Sequence, residues 1–371
     1  MRFEITTNWW ILKKIMANRK KIDFILVGFG ISGAILAYKL IQKNYTIVVY
    51  DTPAKNTSSG VAAGIYNPIT GKNSILTWKA EELFSDLHDF YKQVEQDLNT
   101  KILYPIDQYR PFPNIDSLNN WSTKEKADPV HQFVDSLTSK EQFSETVINP
   151  FGGIHINSSG KVDIPEFIES VKKMVIQYGD YREEELVEEE VVAREEKVEY
   201  KDYFAEKIIF CNGYNAANGK FFNWLPFKPV KGEILEIATN NSIPVLINYG
   251  IFILPLKDQK AVVGSTYDHD NLTTEITASA RNKLTEKLKK LYKGPYEIVN
   301  QKAGIRPSTD DRRPFLGQHP KYKTVFIFNG LGTKGVSIAP HFADKFIDFI
   351  ENDVELEKEV NIKRYFSLYF E

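Results

Sequence analysis

Residues 22–51 carry the pattern that most constrains the fold of this chain. An apolar run typical of a buried strand meets three glycines at GxGxxG spacing, Gly28, Gly30 and Gly33, and a helical pattern, a second apolar run and Asp51 follow. This order within about 30 residues is typical of a βαβ unit that binds a dinucleotide. Gly28 permits the tight turn, Gly30 lets the backbone approach a pyrophosphate, and Gly33 removes a side chain where the helix packs on the strand. The unit therefore predicts a dinucleotide at the start of its helix.

Asp51 ends the second strand of this unit. A carboxylate there can accept hydrogen bonds from both hydroxyl groups of a ribose, and it would repel a 2′-phosphate. The unit by itself does not distinguish NAD from FAD.

Length and charge limit the class of protein. The chain has 371 residues, enough for two domains, and 42% of them are hydrophobic. Its 47 basic and 49 acidic residues give a net charge of −2, so we expect no general attraction to nucleic acid or to an anionic membrane. Because no run of about 18 apolar residues exists, we expect no membrane span.

Cysteine and histidine usage argues against disulfides and metals. Cys211 is the single cysteine, so an intramolecular disulfide is excluded and a reducing, cytoplasmic compartment is favoured. The six histidines show no HExxH or other close ligand spacing, so we expect no metal site. Residues 1–20 lack a signal-peptide core, and we expect them to be a poorly ordered extension or to precede a true start at Met16.

Two segments near the C-terminus carry a family resemblance. Residues 303–317 read AGIRPSTDDRRPFLG, and residues 328–340 read FNGLGTKGVSIAP. They resemble the closing motifs of the FAD-dependent D-amino-acid oxidase superfamily, which includes glycine oxidase, sarcosine oxidase and the flavin domain of the bifunctional tRNA wobble-uridine modification enzyme. With the βαβ unit and shorter matching segments between, the resemblance spans nearly the whole chain from residue 22.

The resemblance implies an α/β fold, α+β overall, with a Rossmann-like FAD-binding domain interleaved with a mainly antiparallel-sheet substrate domain in a glutathione-reductase-like arrangement. We expect the FAD-binding domain to comprise residues 21–80, 151–225 and 298–371. The substrate domain is expected to comprise residues 81–150 and 226–297. The acidic run at residues 183–190 is expected to be the solvated face of a strand, and a valine or leucine within residues 186–192 is expected to contact the adenine.

The resemblance also implies FAD as the cofactor. Covalently flavinylated members carry a cysteine near the segment that contains Arg306, and this chain has none there, so non-covalent FAD is expected. By match of motif, the cofactor-binding residues are Gly28, Gly30, Ile31, Ser32, Gly33, Asp51, Ser59, Ala63, Gly64, Ile65, Gly213, Gly330, Gly332, Thr333, Lys334 and Gly335. Backbone N–H groups of residues 330–335 would stabilise negative charge on the reduced ring.

Arg306 and Lys334 are the candidate catalytic residues. Arg306 resembles the arginine that binds the substrate carboxylate in amino-acid-oxidising members, a role that suits the guanidinium fork. An ion pair from Arg306 to Asp310 or Asp311 is the structural alternative. Lys334 falls one position out of register with a second pocket arginine of glycine oxidase.

The function that the resemblance implies is oxidation of the C–N bond of a small amino acid or an N-substituted glycine, by hydride transfer to flavin N5. The oligomeric state is left open. Three alternatives stay open with it. One is removal of a carboxymethyl group from modified tRNA wobble uridine, which residues 66–68 and 230–232 also resemble but the near-neutral charge disfavours. Another is an FAD-binding scaffold without catalysis, motivated by the departure from the glycine-oxidase pattern around Thr333 and Lys334. The last is an NAD-dependent dehydrogenase, disfavoured because the C-terminal segments match no nicotinamide site.

Overall fold

The computed structural model describes residues 19–52, 56–71, 74–124 and 128–370. The expectation for residues 1–20 lies outside this range except at its end, where Lys20 already pairs with Tyr203 in a strand. In chain order the strands are β1 (Lys20–Val27), β2 (Ile47–Tyr50), β3 (Ile65–Tyr66), β4 (Ile69–Thr70), β5 (Ile75–Leu76), β6 (Leu103–Pro105), β7 (Gln108–Pro111), β8 (Val134–Thr138), β9 (Gly153–Ile156), β10 (Gly160–Val162), β11 (Asp180–Arg182), β12 (Val192–Ala193), β13 (Val198–Tyr200), β14 (Tyr203–Phe210), β15 (Val230–Thr239), β16 (Leu246–Tyr249), β17 (Ile251–Pro255), β18 (Lys260–Gly264), β19 (Tyr296–Arg306), β20 (Phe315–Gln318) and β21 (Val325–Asn329).

Helices cover both sheets. In the described residues the α-helices are α1 (Ile31–Gln42), α2 (Ser58–Val61), α3 (Ala80–Ser85), α4 (Leu87–Leu98), α5 (Ile115–Ser122), α6 (Ile164–Tyr178), α7 (Ala278–Lys289), α8 (Gly335–Asn352) and α9 (Phe366–Phe370). The 3₁₀ turns are Pro129–Phe133, Glu188–Glu190, Gly213–Asn218 and Ile362–Tyr365. Among these described helices, none is both long and apolar enough to cross a bilayer.

The first sheet has a parallel centre in the order β11-β2-β1-β14, and β21 continues it beside β14. Strands β2 and β21 are fully buried, and β1 is buried over its last four residues, which lead to the carboxyl edge. The carboxyl ends of β1, β2, β14 and β21 meet at one edge, so the turns that follow these strands lie side by side. The predicted Rossmann-like arrangement is confirmed.

The second sheet has the order β19-β15-β18-β17-β16-β7-β9-β8, and its pairs are antiparallel except β16 with β7. Paired residues share a face of a sheet, as do residues two apart on one strand. Leu235, Ile253 and Val263 therefore share one face, and they form a core cluster with Leu284 and Leu288 of α7. The opposite face, here called the inner face, is turned away from α7.

The division into two interleaved domains stays a prediction, and three elements pair or pack outside the segments expected for them. Residues 153–156 and 296–306 are strands β9 and β19 of the second sheet, because their backbones pair with β7 and β15. Helix α4 was expected with the substrate domain. Its buried residues Leu87, Tyr91 and Val94 instead pack in the core that contains α1 and α6.

Candidate functional site

A cavity of about 1340 Å³ lies between the carboxyl edge of the first sheet and the inner face of the second. This volume exceeds the roughly 300–1,000 Å³ typical of sites for drug-sized ligands. The predicted residues that line it are Gly28, Gly30, Ile31, Ser32, Asp51, Ser59, Ala63, Gly64, Ile65, Gly213, Arg306, Gly332, Thr333, Lys334 and Gly335. Gly33 and Gly330 are the predicted residues that do not line it.

The turn between β1 and α1 is shaped by close backbone approaches. Gly28 has φ +90°, and a Cβ there would lie 2.7 Å from the Cα of Asn212. A Cβ on Gly30 would lie 2.9 Å from the hydroxyl of Ser59, which accepts a hydrogen bond from the Ile31 N–H at 3.0 Å. Gly30 caps α1 without a side-chain hydrogen bond, so the helix start presents backbone N–H groups to the cavity.

Gly33 lies behind the residues that line the cavity. A Cβ on Gly33 would overlap the carbonyl oxygen of Gly28, so the absence of a side chain lets α1 close on the turn. This packing role matches the reason for the glycine in the motif, and the predicted cofactor contact of Gly33 stays a prediction.

The carboxylate of Asp51 closes the same end of the cavity. Its Oδ1 accepts a hydrogen bond from the Phe29 N–H at 2.9 Å, and its Oδ2 accepts one from the Tyr181 hydroxyl at 3.1 Å. Burial raises the pKa of Asp51, against the lowering effect of these hydrogen bonds. The carboxylate is therefore held in one orientation at the cavity wall.

The acidic run forms part of this wall. Residues 183–190 were expected to be a solvated strand face, but the strand ends at Arg182, and residues 184–189 line the cavity. The run turns because Leu186 is buried and the Val187 N–H donates to the hydroxyl of Tyr200 at 3.0 Å. The Glu188 carboxylate accepts from the N–H of Phe221 at 3.2 Å.

Two glycine-containing loops form the middle of the cavity. In the first, Gly64 has φ +70°, and a Cβ would overlap the carbonyl oxygen of Val162, so the backbones touch there. In the second, Gly332 has φ +56° and lies just before α8. Gly330 has φ +75°, and a Cβ there would face Thr309 and Phe315, so the glycine serves the turn, and its predicted cofactor contact stays a prediction.

Lys334 lies at the N-cap of α8, and its Nζ donates to the hydroxyl of Thr77 at 2.8 Å. Burial lowers the pKa of Lys334 to about 8. This ammonium has a hydroxyl partner and no carboxylate partner in the described part of the chain. It places a titratable positive charge on the cavity wall.

Arg306 lies at the end of β19 on the inner face. Its Nη2 donates to the hydroxyl of Ser265 at 2.8 Å, and its Nη1 donates to the carbonyl of Thr266 at 3.2 Å. The guanidinium lies over the ring of Tyr267, 4.6 Å from its centroid. A Cβ on Gly232 would overlap this guanidinium, so the glycine provides the space in which Arg306 lies.

No described carboxylate pairs with Arg306. Asp311 forms an ion pair with Arg364 at 2.9 Å, and Asp310 forms one with Lys228. The structural alternative of an Arg306 bridge to either aspartate is therefore wrong. Burial lowers the pKa of Arg306, and a guanidinium stays charged at neutral pH. The arrangement leaves a fixed cation that can hold an anion in the cavity.

Sequence reasoning missed Arg110, which lies on β7 and lines the same cavity. Only 4% of Arg110 is exposed, and burial lowers its pKa to about 10. One arginine among the prolines of a turn-rich segment gave no signal of a site. Its position becomes visible only when β7 joins the second sheet.

Glu82, His341 and Glu357 place ligand atoms within 4.8 Å of one another, from segments that are distant in sequence. Lys79 contacts both carboxylates, at 2.7 Å and 3.1 Å, and Lys345 contacts Glu357 at 2.5 Å. These ammonium groups already neutralise the acids, so the cluster is explained as an ion-pair network.

Comparisons with known proteins place these features in a family. The family model described as DAO, FAD dependent oxidoreductase, matches residues 23–348. Glycine oxidase of Bacillus subtilis (strain 168) is 24% identical, over 92% of this chain and 95% of that protein. The tRNA 5-methylaminomethyl-2-thiouridine biosynthesis bifunctional protein MnmC of Campylobacter jejuni (strain RM1221) is 23% identical over 84% of this chain, which spans 48% of that protein.

Solved structures agree with the fold. Glycine oxidase from Geobacillus kaustophilus superposes with a TM-score of 0.75 and 18% identity, over 93% of this chain and 98% of that one. Iminodiacetate oxidase from Chelativorans sp. BNC1 superposes with a TM-score of 0.74 and 20% identity, over 91% of this chain and 98% of that one. These matches confirm the predicted fold class.

Proposed function

This chain belongs to the DAO family of FAD-dependent oxidoreductases, and on that premise we propose that it oxidises the C–N bond of a small amino acid or an N-substituted glycine. The observation that carries the proposal is Arg306, a buried guanidinium on the cavity wall with no carboxylate partner among the described residues. Such a group is suited to a substrate carboxylate, which it can bind through two parallel hydrogen bonds.

The residues present fit FAD. The start of α1 suits a pyrophosphate, and Asp51 suits a ribose. Residues 63–65 and 332–335 would lie along the remainder of the cofactor, where glycines let the backbone approach. We expect FAD to be bound without a covalent link, because burial raises the pKa of the Cys211 thiol and so disfavours its reactive thiolate.

When bound, FAD supplies the acceptor for the hydride that leaves the carbon next to the amine nitrogen. The chain's own residues orient the substrate. Arg306 fixes the carboxylate, while Ser265 and Thr266 hold the guanidinium in place. The start of α8 and Lys334 place positive potential on the cavity wall, which favours negative charge developing there. The substrate nitrogen loses its proton to solvent, and water then hydrolyses the imine to a carbonyl product and an amine.

The test is the visible spectrum of the purified holoprotein under anaerobic conditions. We expect the oxidised flavin band to bleach on addition of a compound from a panel of glycine, sarcosine, proline and D-amino acids. Protein without FAD, or a flavin that no amine reduces, would contradict the proposal. A flavin that dithionite reduces and no amine does would favour the scaffold alternative.

A second candidate is removal of a carboxymethyl group from modified tRNA uridine, supported by the match to a relative named for tRNA 5-methylaminomethyl-2-thiouridine biosynthesis. The net charge of −2 gives no general attraction to the tRNA backbone. Unmodified and carboxymethylated tRNA in the same anaerobic assay separate the two candidates, since only the second candidate requires bleaching by the modified tRNA.

Lys334 predicts a pH dependence of substrate binding. Since burial lowers the pKa of Lys334 to about 8, the ammonium loses its proton as the pH rises above that value. We expect the KM of an amino-acid substrate to rise by about tenfold between pH 8 and 9.5, equivalent to about 1.4 kcal/mol of lost attraction. Steady-state kinetics against pH measure this. The Lys334→Arg variant, which stays charged, should lack the rise, and an identical profile in both proteins would refute a role for Lys334.

A further inference from the structure

The charged side chains that line the cavity are largely segregated by sign, and Lys220, which donates to the Glu188 carbonyl, is the exception at the acidic end. Asp51 and the glutamates between residues 184 and 189 lie at the end near β2 and β11. The wall formed by the second sheet and the start of α8 carries Arg110, Arg306 and Lys334 and contributes no acidic residue to the described lining. Because a simple amino acid brings one carboxylate, this cationic end exceeds what such a substrate needs.

Arg110 is the cation that this excess leaves unexplained. Its Nη2 donates to the carbonyl of Gly71, and its Nε has no hydrogen-bond partner. Only 4% of the residue is exposed, and no described carboxylate lies in salt-bridge contact with it. Burying an unpaired charge costs several kcal/mol, so such a group is retained where a ligand neutralises it.

Arg110 and Arg306 reach the cavity from the same face of one sheet. Gly232 pairs with Gly304, which lies two residues from Arg306, so Arg306 shares the inner face with Gly232. The successive pairing of β15 with β18, β17, β16 and β7 places Arg110 on the same face. Five inter-strand spacings of about 4.8 Å, about 24 Å in all, separate β19 from β7. Arg306 already leans over β15, where its guanidinium lies against Gly232, so the distance that a ligand must bridge is shorter than the distance between the two strands. A ligand that contacts both guanidinium groups must therefore be elongated, with an anionic group at each end.

A chain of hydrogen bonds connects Lys334 to the strand of Arg110. Lys334 Nζ donates to the hydroxyl of Thr77, which donates to the carbonyl of Asn67 at 3.2 Å. The Asn67 side chain donates to Gln108 at 3.0 Å, two residues before Arg110 on the same face. The polar network thus extends the site from α8 to β7.

We propose that Arg110 binds a second carboxylate of the substrate, so that the preferred substrate is an amine with two carboxylates, either a dicarboxylic amino acid or an amino acid with an N-carboxyalkyl group. This inference rests on the proposed function, which supplies the oxidised carbon and its carboxylate at Arg306. The second carboxylate lies on the part of the substrate remote from Arg306 and takes no part in bond breaking.

The first experiment compares substrates in the anaerobic reduction assay. Iminodiacetate, D-glutamate and D-2-aminoadipate are compared with glycine, sarcosine and D-alanine, in wild type and in Arg110→Met. We expect at least one dicarboxylate to exceed its monocarboxylate counterpart about 100-fold in kcat/KM, as two charge-assisted hydrogen bonds allow. Arg110→Met should remove that advantage and leave monocarboxylates within about threefold. Arg281→Met, on the exposed face of α7, is the matched control and should change neither.

The second experiment needs no turnover. Malonate, succinate, glutarate and adipate are titrated into the FAD-loaded protein beside acetate, propionate and butyrate, and the shift of the flavin absorption band reports binding. Tighter binding of a dicarboxylate that Arg110→Met abolishes supports the inference even if no amine reduces the flavin, which would refute the proposed function alone.

Equal effects of Arg110→Met on both substrate classes, or a wild-type preference for monocarboxylates, would overturn the inference. Loss of FAD from Arg110→Met at unchanged thermal stability would also overturn it, because Arg110 would then serve the cofactor. If that variant fails to fold, the wild-type titrations decide, and no dicarboxylate binding tighter than its monocarboxylate partner would count against the second site.

Discussion

Replacing Arg306 with methionine is expected to lower kcat/KM for the amino-acid substrate by about 10³-fold. Methionine keeps much of the bulk of the side chain but removes two charge-assisted hydrogen bonds to the carboxylate, which together contribute about 3–6 kcal/mol. Binding of FAD should change little, because the start of α1 and Asp51 lie on the other sheet. Anaerobic reduction kinetics measure the first quantity, and the FAD content of the purified variant measures the second.

A Gly232→Ala variant tests whether the position of the Arg306 guanidinium matters, because the variant keeps the charge and displaces it. A Cβ on Gly232 would overlap the Arg306 guanidinium, so the arginine must leave its contacts with Ser265 and Thr266. We expect a loss of the same kind as in Arg306→Met although the cation is retained. Arg281→Met again serves as the surface control. An Arg306→Met enzyme with unchanged kcat/KM would exclude Arg306 from the substrate site.

Gly33→Ala is expected to weaken FAD binding by at least 100-fold and to destabilise the protein by about 3 kcal/mol. The added Cβ would overlap the carbonyl oxygen of Gly28, and neither atom belongs to a flexible side chain. Helix α1 must therefore move away from the turn, which also shifts the N–H groups that face the cavity. Fluorescence of released FAD and urea unfolding of the apoprotein measure the two effects.

Ala37→Gly, on the same helix, is the matched control because it removes a methyl group instead of adding one. It should cost about 1–2 kcal/mol of stability through helix propensity and lost packing, while FAD affinity is retained. Equal loss of FAD affinity in both variants would mean that general helix stability, and not the fit of α1 to the turn, governs cofactor binding.

The βαβ unit could be predicted because its signals are local. Strand, glycines, helix and Asp51 fall within residues 22–51, and each expectation depends on neighbours in the sequence. The close packing predicted for Gly33 is present, since a Cβ there would overlap the carbonyl oxygen of Gly28. The side-chain roles within the motif thus needed distances that spacing does not provide.

The second-sheet part of the site depends on long-range pairing, and here sequence reasoning was incomplete. Arg306 was found through a resemblance, but the groups that hold it come from β15 and from residues 265–267. Arg110 went unnoticed because its importance follows from the register of β7 with β16. The acidic run was wrongly interpreted as a strand face, because a run of like charges does not reveal that the strand ends at Arg182 and that the chain then turns along the cavity.

The central strands of the first sheet impose an order on folding. Strand β1 pairs with β14, which places residue 25 beside residue 208. Strand β14 in turn pairs with β21, which places residue 209 beside residue 326. Contacts between residues so distant in sequence form slowly, because large loops must close before the pairing is rewarded. During synthesis, the sheet that contains the βαβ unit therefore cannot be completed until residues 325–329 have left the ribosome. A nascent chain that ends before residue 325 has the motif that identifies this protein but lacks the strand and the loop that complete its cavity.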